Sequence, residues 1–140
     1  MNSKQWLQAV NAALCLIPIG TGLVTMMGVA DPIYAGLGIP DIPMLDGNLR
    51  FFGGVWLVLG LSLAWVIPSI GTRSSEFRII WIAVFMGGIG RLLSMAFSGM
   101  PPLPFVGFTA IEIVGAPLIL LWQRSVARHG AASDTHCDSG

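Results

Sequence analysis

Apolar residues along this chain gather into four long runs, and the polar residues collect between them and at the two ends. The runs cover 6–27, 51–70, 79–97 and 105–122. Each is near the roughly 20 residues that an α-helix, rising about 1.5 Å per residue, needs to cross a hydrocarbon core about 30 Å thick. None keeps a sustained polar face, so these are not soluble amphipathic helices. In lipid, each segment must satisfy its own backbone polar groups, which makes the runs helices. The pattern predicts an all-α fold, a four-helix transmembrane bundle over 1–125, followed by a flexible polar tail over 126–140. The first run reads as a retained span. Lys4 precedes it and Gly28-Val29-Ala30 resembles a signal cleavage site, but the run exceeds the roughly 7–15 residues of a signal core.

Composition strengthens this picture. The chain is 54% hydrophobic and 10% charged, against roughly 25% charged in a soluble domain. The formal net charge is zero, which gives nucleic acid no basic surface to bind. Cys15 lies in the first run and Cys137 in the tail, so neither a disulfide framework nor a metal site is expected. His129, His136 and Cys137 lack ligand spacing, no histidine lies in any run, and no cofactor is expected.

The basic residues orient the helices. Lys4, Arg73, Arg78, Arg124 and Arg128 fall at one set of ends, whereas the other set holds Arg50 among Asp31, Asp41 and Asp46. The arginine-rich side is expected to be cytoplasmic, with both termini inside. The 28–50 loop is then outer. It is apolar, broken by proline and glycine, too short to span, and expected to lie at the interface or cap the bundle. Trp6, Trp65, Trp81 and Trp122 read as an aromatic belt toward the inner ends. Pro18 and Pro117 fall inside the first and fourth runs, where each should leave a carbonyl unpaired, at Leu14 and Ile113.

Two ionisable residues fall inside the runs, Arg91 in the third and Glu112 in the fourth. A central charge costs about 2.5–3.5 kcal/mol on insertion scales, so such groups face other helices and find partners. Counted at about 1.5 Å per residue, Arg91 lies ~12 Å and Glu112 ~10 Å below the outer surface. The depths agree within one turn and the helices are joined by a short link, so an Arg91–Glu112 ion pair is expected. Thr21, Asn48 and Arg50 could reach the same level. Together the five outline a polar, net-positive ligand pocket in the outer half. The alternative is a plain clasp that specifies the fold. Gly53, Gly54, Gly87, Gly88, Gly90, Ser94 and Gly115 are small enough for close helix packing.

The stretches Leu45-Asp-Gly-Asn-Leu-Arg-Phe-Phe-Gly-Gly54 and Phe85-Met-Gly-Gly-Ile-Gly-Arg-Leu-Leu-Ser94, with Glu112 and a closing Leu-Trp-Gln-Arg124, carry a resemblance. Over roughly residues 10–125 the chain resembles the DUF4345 family of uncharacterised bacterial four-helix membrane proteins. The resemblance implies a bacterial inner-membrane location and this helix count. It puts Asn48, Arg50, Arg91 and Glu112 within the family's recurrent motifs, and it implies no activity.

Three functions remain open. The leading one is binding or moving an anionic or amphiphilic, lipid-like small molecule at the outer-half pocket. A second is an accessory subunit of a larger membrane complex, or a homo-oligomer, with Gly87, Gly90 and Ser94 as a packing face. A membrane enzyme ranks last, because no Ser/His/Asp set, phosphate loop or acid pair is present.

Overall fold

Four helices long and apolar enough to cross a membrane account for most of the computed structural model, which describes residues 2–137, with side chains through Arg128. Among the described residues there is no strand. The chain divides into two compact units, Gln8–Ile67 and Met1–Leu7 with Pro68–Gly140.

In the first unit, α1 (Ser3–Thr25) and α2 (Pro43–Val66) are linked through two 3₁₀ turns, Gly28–Ala30 and Pro32–Tyr34. Asn2 and Gln5 exchange reciprocal side-chain bonds to each other's backbone N–H, each 3.0 Å, and so cap the start of α1. α1 and α2 approach at the level of their backbones. A Cβ on Gly22 would lie 2.6 Å from Leu57 N, one on Gly53 2.6 Å from Met26 N, and one on Gly60 2.9 Å from Ile19 N. Only glycine permits this approach. Gly53 was anticipated from the sequence; Gly22 and Gly60 were not.

The α2 helix begins at Pro43, eight residues before the predicted 51, because proline's fixed φ suits a first helical turn. Residues 43–50 are therefore helix, and the connecting segment is shorter than the 28–50 loop. Asp31 is buried in that segment, where its Oδ1 accepts from Ile33 N at 2.7 Å and starts the second 3₁₀ turn.

In the second unit, α3 (Ser74–Ser98) packs against α4 (Leu103–Ala110) and α5 (Ala116–Cys137). Gly99, at φ +95°, ends α3, and Pro101 and Pro102 keep the chain from resuming a helix before Leu103. Phe77, Ile80, Trp81, Val84 and Gly88 form the buried stripe of α3, at helical spacing. Trp81, 2% exposed and packed on Phe77, is thus a core residue and not part of a lipid-facing belt. Gln123, fully buried on α5, donates to Ile70 O and Ser74 Oγ at the start of α3.

A π turn, Ile111–Gly115, joins α4 to α5 within one continuous span, Leu103–Arg128. Pro117 has no N–H to give the Ile113 carbonyl. Just before it the backbone closes a wider ring, Ala116 N–H to Ile111 O. The predicted spans 79–97 and 105–122 are shorter than these helices, because their polar end turns contribute nothing to an apolar run. The tail expected over 126–140 starts within α5. The side chains of His129, His136 and Cys137, and residues 138–140, lie outside the described residues.

Candidate functional site

Glu112 sits on the π turn with its side chain 6% exposed, and Arg91 sits on α3 with its side chain 37% exposed. The α3 backbone comes close enough to seat the glutamate because position 88 is glycine. A Cβ there would lie 2.7 Å from Glu112 Cβ. Arg91 Nε donates to Glu112 Oε1 at 3.2 Å and lies 3.0 Å from Oε2. Oε2 is off the N–H direction, is buried, and accepts no hydrogen bond. The ion pair expected from helix depth therefore forms, but through one nitrogen. It is not the two-bond fork that arginine commonly makes with a carboxylate.

The rest of the guanidinium is unspent. Among the described residues, Nη1 and Nη2 of Arg91 donate no hydrogen bond. Arg91 lines a cleft of about 250 Å³ between the end of α3, the Gly99–Pro101 link and α4. Ser94 and Ser98 stand one and two turns further along α3, and Phe105 and Thr109 form the α4 wall. The Arg91 guanidinium carbon is 6.0 Å from the Phe105 ring centroid, within cation–π range. Thr109 donates its hydroxyl to Phe105 O at 2.9 Å, so its oxygen lone pairs, not its proton, face further contacts.

The other sequence-derived candidates, Thr21, Asn48 and Arg50, belong to the Gln8–Ile67 unit, where Thr21 and Arg50 have partners. Thr21 Oγ1 donates to Ile17 O at 2.6 Å and accepts from Trp56 Nε1 at 2.9 Å, which ties α1 to α2. Trp56, which carries no motif or belt signal in the sequence, is the residue that fixes Thr21. Arg50 donates from Nε to Asp46 Oδ2 at 2.7 Å and from Nη2 to Oδ1 at 3.2 Å. Its Nη1 reaches Met26 O, 3.0 Å away, a carbonyl just past the end of α1. Asp46 Oδ1 also accepts from Val29 N at 3.0 Å. The charge of Arg50 is thus compensated by Asp46, so Arg50 does not supply the excess positive charge expected of the pocket. Asn48 is exposed on α2.

Of the small residues singled out for packing, Gly53 and Gly88 sit at close contacts. A Cβ on Gly54, Gly87 or Gly90 would meet open space, Gly115 would touch only Ile111 of its own turn, and Ser94 lines the cleft. Glycine is frequent enough in an apolar helix that spacing alone does not separate packed positions from open ones.

No curated protein and no solved structure matches the chain. A family model described as Domain of unknown function (DUF4345) matches residues 6–123, which includes every helix contact and both ion pairs described above. The chain belongs to the DUF4345 family.

Proposed function

We propose that this is a multi-pass protein of the bacterial inner membrane, with both termini cytoplasmic, that binds or moves an anionic or amphiphilic small molecule in the Arg91 cleft. The observation that carries this reading is the half-used guanidinium. Glu112 occupies Nε, while among the described residues Nη1 and Nη2 of this cleft-lining side chain have no hydrogen-bond acceptor. A planar pair of N–H donors is what a carboxylate, phosphate or sulfonate oxygen pair recognises. Phe105, Met95 and Met100 supply apolar walls for the body of such a molecule. The cleft volume falls just below the roughly 300–1,000 Å³ of pockets that take drug-sized ligands, which favours a compact occupant. Orientation rests on the arginine distribution between the helix ends.

A second reading, an accessory subunit of a membrane complex, is favoured by Gly87 and Gly90. Both are exposed on α3 with open space where a Cβ would point, as a face awaiting another helix would be.

Native mass spectrometry of the detergent-extracted protein separates the two. An anionic small molecule that co-purifies with wild type and is lost from Arg91→Leu supports the cleft. A stoichiometric protein partner lost on Gly87→Leu supports the subunit. A bare chain with neither contradicts both.

A further inference from the structure

The Arg91–Glu112 pair is neutral as a unit, one guanidinium against one carboxylate. An anion placed on Nη1 and Nη2 would leave that unit with one negative charge inside an apolar span, where uncompensated charge is strongly disfavoured. Among the described residues of the elements packed on the π turn, no other charge is near enough to absorb it. Among the described residues, the elements packed on the π turn are α3, α4 and α5. α4 has no ionisable side chain. The remaining charges described on α3 and α5 are Glu76, Arg78, Arg124 and Arg128. Counted along the helices, these are about 18 Å or more from the pair at 1.5 Å per residue.

Building on the cleft reading, we propose that the site takes up its oxyanion together with one proton, and that Glu112 receives the proton. Before binding, the guanidinium and the Glu112 carboxylate cancel. After binding, the guanidinium and the oxyanion cancel and Glu112 is a neutral carboxylic acid. Charge balances in both states, and the one proton comes from water. The geometry suits the exchange. Glu112 is held by a single nitrogen, so losing its ionic partner costs it one hydrogen bond. Its Oε2 accepts no hydrogen bond, which leaves a lone pair open to protonation. Coupling of this kind is reciprocal: the anion promotes proton binding by the factor with which the proton promotes anion binding.

The test is titration of the full chain, in nanodiscs of phosphatidylcholine, with benzenesulfonate, an aryl oxyanion that stays ionised throughout. The wild-type affinity should fall as pH rises, towards the limiting slope of about tenfold per pH unit for one proton taken up per anion. A pH-indicator dye in weak buffer should register one proton absorbed per benzenesulfonate bound. Glu112→Gln, already neutral, should bind with no pH dependence. Arg91→Lys, which keeps the charge but loses the fork, should abolish saturable binding. Saturable, Arg91-dependent binding with flat affinity and no proton uptake would overturn the coupling and leave the cleft reading standing. Absence of Arg91-dependent binding at every pH would overturn the cleft reading itself.

Discussion

Arg91 hydrogen-bonds Glu112 through Nε alone, 3.2 Å from Oε1 and 3.0 Å from Oε2. A clasp built for stability alone would gain most by turning both edges of the fork to the carboxylate. Here the buried partner is the glutamate, and the arginine's free edge belongs to a side chain that lines a cleft.

The pair still contributes to stability, in a way a double substitution reveals. Arg91→Leu alone leaves a buried carboxylate unpaired, and should destabilise the protein by about 3 kcal/mol, in the range for breaking a buried pair. Arg91→Leu combined with Glu112→Leu should recover most of that loss. Equilibrium unfolding in mixed micelles measures both. Costs that simply add would show that the two side chains do not interact.

Gly88 and Gly87 are adjacent and should respond oppositely. Gly88→Ala drives a Cβ against Glu112 Cβ and Ile113. Overpacking of this kind costs about 1–3 kcal/mol, and it should also shift Glu112 away from Arg91. Gly87→Ala meets open space and should change stability by less than about 0.5 kcal/mol. The same unfolding assay reads both. Equal losses would contradict the close approach of α3 to the π turn.

These positions show how far the chain could be read in advance. The four spans were legible because lipid demands long apolar helices, and the Arg91–Glu112 contact because rise per residue and a short link fix relative depth. The Asp46–Arg50 bond was not legible once 43–50 was taken as loop, since its four-residue spacing has meaning only on a helix. Trp56 was passed over because a tryptophan near mid-span carries no belt signal, and nothing local names Thr21 as its acceptor. Pro117 marks a break in the regular helix, but only the backbone shows the π turn before it, with Ala116 N–H on Ile111 O. Trp81 looked like a belt residue by its nearness to the helix end, and its burial depends on neighbours in other helices.

Gly28 holds φ at +69°, beside Asp46 and Arg50. Gly28→Ala combines left-handed backbone strain, about 1–2 kcal/mol for a residue with a Cβ, with a collision against Asp46 Oδ1. It should free the Val29 amide from Asp46, seen as faster hydrogen exchange at Val29. Unchanged protection there would contradict the Asp46 contact.

Thr21 and Trp56 should behave as one unit. Thr21→Val and Trp56→Phe each remove the same side-chain hydrogen bond, worth about 0.6 kcal/mol by the average for membrane helices. The double substitution should cost less than the sum of the singles by about that amount. Full additivity would place the two side chains out of contact.

The central claim, that the Arg91 cleft receives an oxyanion with an apolar body, is tested most directly by photoaffinity labelling with a sulfonated aryl diazirine. Peptide mapping should find adducts on cleft residues such as Met95, Met100 and Phe105, and these should vanish in Arg91→Lys. Adducts spread over lipid-exposed side chains such as Leu118 and Leu121, unchanged by that substitution, would contradict it.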